Sequence, residues 1–111
     1  MISRREKRRE FLLHMIFGEE ARPVPPGLCE TFDREFRVAL QTLTQREQEV
    51  IRLHHGLNDE DRVYSLEEIG RLFRMTRYRV GAIEKRGFQK LHSPATQEQL
   101  RGFFVPISIG S

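Results

Sequence analysis

Residues 65–94 read "SLEEIGRLFRMTRYRVGAIEKRGFQKLHSP", and this run leaves the chain few folds to adopt. Ser65 followed three residues later by Glu68 is a capping box, in which each side chain satisfies the other residue's backbone amide. Leu66, Ile69, Leu72 and Phe73 then recur at helical intervals, so a short helix with one apolar face is expected. After "RMT", Val80, Ile83, Gly87 and Leu91 give a second apolar face, on a helix from Thr76 to His92 that Ser93 and Pro94 end. Two short helices joined by a turn of three or four residues form a helix-turn-helix. Gly70 fits this reading. A glycine inside a helix costs about 1 kcal/mol relative to alanine, and here the expected reason is a tight crossing of the two helices.

The elements before this motif are also helical in pattern. Residues 3–17 pair a basic start with Phe11, Leu12, Met15 and Ile16 on one stripe, whereas "RPVPPG" from Arg22 to Gly27 cannot continue a helix. Residues 28–43 place Leu28, Phe32, Phe36, Ala39, Leu40 and Leu43 on one face. Thr44 and Glu47 make a second capping box, and Val50, Ile51 and Leu53 carry that helix to a stop at Gly56. The expected fold class is all-α, a small helical bundle containing a helix-turn-helix. The expected division is a basic amphipathic helix over 1–21, a proline-rich linker over 22–27, a helix-turn-helix domain over 28–104 and a frayed tail over 105–111.

Charge is unevenly distributed. The net charge of this 111-residue chain is only +3, yet residues 71–92 hold Arg71, Arg74, Arg77, Arg79, Lys85, Arg86 and Lys90 against the single acid Glu84. Arginine's planar fork suits phosphates and guanine edges better than a point charge does, so a polyanionic partner is expected. With the apolar stripe turned inward, Arg77, Tyr78, Gly81, Ala82 and Lys85 fall on the outward face. Thr76 is the expected cap, and the amides of the first turn can meet a phosphate.

Other chemistries find little support. The lone Cys29 excludes an internal disulfide, and no cysteine and histidine spacing suggests a zinc site. His14, His54, His55 and His92 are scattered, and neighbours such as His54 and His55 are expected on different sides of a helix. No catalytic residue, metal or cofactor is expected. No apolar run approaches the roughly 20 residues that span a bilayer, so a cytoplasmic location is expected.

The run "LTQREQEVIRLHHGL … YSLEEIGRLFRMTRYRVGAIEKRGFQKLHSP … EQLRGFF" resembles region 4 of the sigma-70 family of bacterial RNA polymerase sigma factors. The resemblance covers about residues 44–104 and rests on "LEEIG", "TR.R", "IE" and the "KL" before a proline, in the family's order. It implies a helical domain that docks on the polymerase beta flap and reads a minus-35-like promoter element. By position, Arg77 matches the arginine that reads a guanine edge, Arg79 its companion, and Arg46 and Arg71 basic positions that hold the DNA backbone. Tyr78 stands where the family has glutamate, Gly81 and Ala82 where it has arginine and glutamine, and His54 where an arginine grips the backbone. The preferred sequence is therefore expected to differ from the standard minus-35 element.

The expected base-reading set is thus Arg77, Tyr78, Arg79, Gly81 and Ala82, and the expected backbone set is Arg46, His54, Arg71, Thr76 and Lys85. Leu100, Phe103 and Phe104 match a helix near the flap, so they are expected either to contact polymerase or another partner or to close the core. The expected partners are double-stranded DNA and core polymerase, with a second sigma-like subunit as a further one to supply the promoter-melting region not found in this sequence. Two other functions stay open at this point. One is an ordinary dimeric helix-turn-helix regulator, for which the N-terminal helix would be the dimer element. The other is a sigma mimic that occupies the flap with little DNA affinity.

Overall fold

The computed structural model describes residues 7–107; Arg4 and Arg5 of the basic N-terminal cluster lie outside them. Six α-helices are found among the described residues: α1 (Arg8–Phe17), α2 (Cys29–Leu40), α3 (Gln45–His54), α4 (Leu66–Phe73), α5 (Arg77–Leu91) and α6 (Pro94–Leu100). No strand occurs among them; one isolated bridge joins Ala21 to Pro106. The all-α expectation holds.

The chain clusters into two compact units, Leu43–Lys90 forming one and the residues on either side of it the other. This boundary differs from the expected one, which set residues 1–21 apart from 28–104. The reason lies in burial. In the outer unit α1 packs against α6, as does α2, and Leu12, Leu13 and Ile16 of α1 are buried while Phe11 is exposed. Leu13 thus replaces Phe11 on the inward stripe. Arg9 leaves the basic cluster to form a two-pronged pair with Asp33 of α2, both bonds at 2.8 Å. Phe32, Phe36, Ala39 and Leu40 supply α2's buried face. Leu28 does not join them, because Pro26 opens a 3₁₀ turn and α2 begins one residue later.

Residues 22–27 and 105–107 make backbone contacts with the rest of their unit, while residues 108–111 of the expected tail lie outside the described residues. Val24 is buried, the Arg22 amide donates to the Val105 carbonyl at 2.7 Å, and the Ile107 amide to that of Glu20 at 3.1 Å.

The inner unit holds the helix-turn-helix. Both expected capping boxes are complete: Thr44 and Glu47 start α3, Ser65 and Glu68 start α4. Gly56, at φ 70°, provides the left-handed turn after α3. Val50, Ile69 and Val80, one from each helix, form the fully buried centre, with Leu53, Tyr64, Leu66, Phe73, Met75 and Ile83 around it. Leu72, expected inside, is exposed, since four residues of an eight-residue helix cannot all reach a centre this small.

Gly70 is buried, and a β-carbon there would lie 2.5 Å from the Met75 carbonyl oxygen. The close approach is therefore made by the turn backbone rather than by the crossing helix. The Met75 amide donates back to the Gly70 carbonyl at 2.9 Å, closing the turn around the glycine. Arg74 between them takes φ 55°, a left-handed conformation uncommon for a residue with a β-carbon.

Candidate nucleic-acid interface

Helix α5 starts after Thr76, whose hydroxyl accepts from the Arg79 amide at 3.1 Å. Arg77, Tyr78 and Arg79 form the first turn and are all exposed, Tyr78 at 74%. One and two turns further, Ala82 and Lys85 share the exposed side. The inward side of α5 is fixed by Val80, Gly87 and Phe88, all buried. Phe88 was missed by the stripe reading; its ring meets His55 edge-on at 5.5 Å between centroids.

The exposed arginines are held in place. The Arg77 guanidinium donates to Glu67 of α4 at 3.1 Å and to the Tyr78 hydroxyl at 3.0 Å. Glu67 also faces Arg71 at 3.8 Å, so this carboxylate lies between two basic side chains. Arg46 lays its guanidinium over the Phe73 ring at 4.1 Å, a cation–π contact that leaves its edge in solvent. Arg46, Arg71, Thr76 and Lys85 are thus all exposed positions.

Three expected residues are placed elsewhere. Gly81 is half-buried, and a β-carbon on it would meet the Leu66 side chain at 3.7 Å, so it faces α4. It is a packing position and not part of the exposed face of α5. His54 turns inward and brings Nδ1 to 2.5 Å from Glu84 Oε2, with 15% of its side chain exposed. Its imidazole is committed to a carboxylate and is not presented to a phosphate. Leu100 is fully buried in the outer unit and unavailable to any partner. Phe103 packs on Phe32 at 5.4 Å and Phe104 stacks on Phe17 at 4.2 Å, so these half-buried rings close that unit's core.

The contact at Gly81 gives an expected result. At 3.7 Å the space accepts a methyl group in ordinary contact, and alanine restricts the unfolded chain more than glycine. Gly81→Ala should raise stability by about 0.5–1 kcal/mol, read as a higher urea midpoint at unchanged slope. A lower midpoint would mean that α4 and α5 lie closer than they do here.

His54, His55 and Glu84 form a cluster that the sequence reading excluded. His55 Nε2 lies 2.9 Å from the same Glu84 Oε2, so both rings donate to one oxygen. Adjacent residues diverge only while both are helical, and His55 is the residue that ends α3, at φ −110° and ψ 12°. Burial pushes the Glu84 carboxyl up, but the bonds from His54 and His55 outweigh it and bring the pKa down from 4.5 to about 2. Glu47 behaves similarly. Burial raises its carboxyl, while the Thr44 amide and the Lys90 ammonium at 2.9 Å hold it below the ordinary range.

An all-α unit with a capped, basic, exposed helix after a tight turn defines a helix-turn-helix protein. Its family follows from its sequence relatives. Residues 39–93 match the family model "Sigma-70, region 4". The chain is 42% identical over 81 residues to the RNA polymerase sigma factor SigA of Listeria monocytogenes, and equally to that of Listeria innocua, covering 73% of this chain and 21% of each relative. To the SigA of a Bacillus species it is 36% identical over 85 residues, 77% of this chain and 22% of the relative. The chain belongs to the sigma-70 region 4 family and spans about a fifth of the length of these relatives. No helix among the described residues is long and apolar enough to cross a membrane.

Proposed function

We propose that this chain is a transcription factor of the cytoplasm that binds duplex promoter DNA through α5 and contacts RNA polymerase, with no catalytic activity of its own. The observation that carries the reading is the exposed first turn of α5, where Thr76 caps the helix and Arg77, Tyr78 and Arg79 project from it. A recognition helix enters the major groove by its N-terminal residues. Arg77 and Arg79 then read base edges, Ala82 is placed for a thymine methyl, and Arg46, Arg71 and Lys85 meet phosphates. The first-turn amides of α5 that Thr76 does not cap add a further phosphate contact.

The family resemblance supports the beta flap as the surface on polymerase, and a minus-35-like element as the target. Because Tyr78 stands where the family has glutamate and Ala82 where it has glutamine, the preferred sequence differs from the standard element. Arg77 is drawn to Glu67 and Tyr78 in the free protein, and DNA must replace these bonds with its own.

Arg77→Ala should remove preference at one base pair, a discrimination of about 1–3 kcal/mol. Arg71→Ala should weaken binding to all sequences alike and lower the slope of log affinity against log salt by about one. Competition among duplexes differing at single positions separates the two. If Arg77→Ala left every base preference intact, α5 would not be the reading helix. Capture of core polymerase from a bacterial lysate by the intact chain tests the second contact.

A further inference from the structure

The DNA reading leaves one buried cluster unused. His54 Nδ1, His55 Nε2 and a Glu84 carboxylate oxygen lie within 4.8 Å of one another at the end of α3 and the middle of α5. Their side chains are 15%, 7% and 16% exposed, so the group is enclosed yet reachable from solvent. We propose that His54, His55 and Glu84 bind a divalent transition cation, zinc foremost, with water completing the coordination.

The donor set supports that class. Two imidazole nitrogens with one carboxylate suit zinc, whereas magnesium and calcium prefer oxygen-only shells. Zinc bonds of roughly 2.0–2.2 Å in a tetrahedron place ligand atoms roughly 3.3–3.5 Å apart. The separations to the shared oxygen, 2.5 and 2.9 Å, are shorter than that edge, and all three ligand atoms lie within 4.8 Å of one another. Sub-ångström to roughly 1 Å rotations of the three side chains open the space for an ion.

A cation here would tie α3 to α5 and replace the two hydrogen bonds on Glu84 with metal bonds. Its effect is on the stability and relative setting of these helices, and so it is independent of whether α5 reads DNA.

The test uses the full chain freed of metal by a chelator and then titrated with zinc chloride. One zinc per chain and a saturable rise in melting temperature are expected, with no rise for magnesium chloride at the same concentration. Affinity should drop at least tenfold in each of His54→Gln, His55→Gln and Glu84→Gln. It should persist in the double variant His14→Gln, His92→Gln, whose histidines lie in the other unit. Cobalt chloride supplies a second readout that does not depend on how stable the variants are. Visible absorption bands without a thiolate charge-transfer band are expected, because Cys29 is not a ligand. No zinc uptake by the unaltered chain would overturn the proposal, as would uptake that survives both His54→Gln and His55→Gln. In either case the cluster is a hydrogen-bonded strut only.

Discussion

Gly70→Leu is expected to unfold the inner unit or to lower its melting temperature by about 10 °C or more. The first added atom alone would lie 2.5 Å from the Met75 carbonyl oxygen, with the Thr76 carbonyl carbon and the Arg77 amide nitrogen at 3.5 Å. These are backbone atoms, so no side chain can rotate away to relieve the clash. Overpacking of this kind costs about 1–3 kcal/mol in a core that can adjust, and more where the obstacle is main chain. The turn also sets where Thr76 caps α5, so the variant should lose DNA binding along with stability. Gly70→Ala should show the same direction, because the methyl carbon occupies the clashing position. Circular dichroism melts of both variants check this, and an unchanged transition would place the turn farther from α4 than 2.5 Å.

Glu84→Ala is the second large effect. It removes the one acceptor that His54 and His55 share, and leaves two mostly buried imidazoles without it. A mostly buried donor left without its acceptor costs about 1–3 kcal/mol, a large share of the roughly 5–15 kcal/mol by which a domain is stable. The pH dependence follows from the direction of the shift. A carboxyl lowered from 4.5 to about 2 binds its proton less readily folded than unfolded. Its contribution is complete above about pH 4.5 and is lost as pH falls through that value toward 2. Glu84→Gln should therefore be less stable than the unaltered chain at pH 6, with the gap narrowing steadily below pH 4.5. Urea midpoints at pH 6 and pH 3 measure the gap. A gap of constant size at both would mean that Glu84 is not held by the two histidines.

The parts of the fold that were legible in the sequence are those set by local chemistry. Both capping boxes, the Gly56 stop and the Ser93–Pro94 boundary depend on residues close together in the chain, and each is where the sequence placed it. The exposed turn from Arg77 to Arg79 was legible for the same reason. What the pattern could not give was decided by departures from ideal helix geometry. His55 leaves the helical path at its last residue, and this alone brings it beside His54 to Glu84. Gly81 sits on the boundary of the α5 stripe, where a small rotation of the helix exchanges groove for neighbour.

Burial also overruled periodicity on α1, where Phe11 and Leu13 exchange roles, and on α4, where Leu72 is left outside. At Leu100 the sequence offered two readings, and full burial selects core closure.

The central claim is that the first turn of α5 meets DNA. It is tested most directly by the affinity of the unaltered chain for minus-35-like duplexes, followed by fluorescence anisotropy across a salt series. Binding should weaken steeply with salt, each phosphate contact adding about 0.9 to the slope of log affinity against log salt, and should show a sequence preference that Arg77→Ala erases at one position. No binding even at low salt would contradict the claim and leave a protein-docking role for the unit.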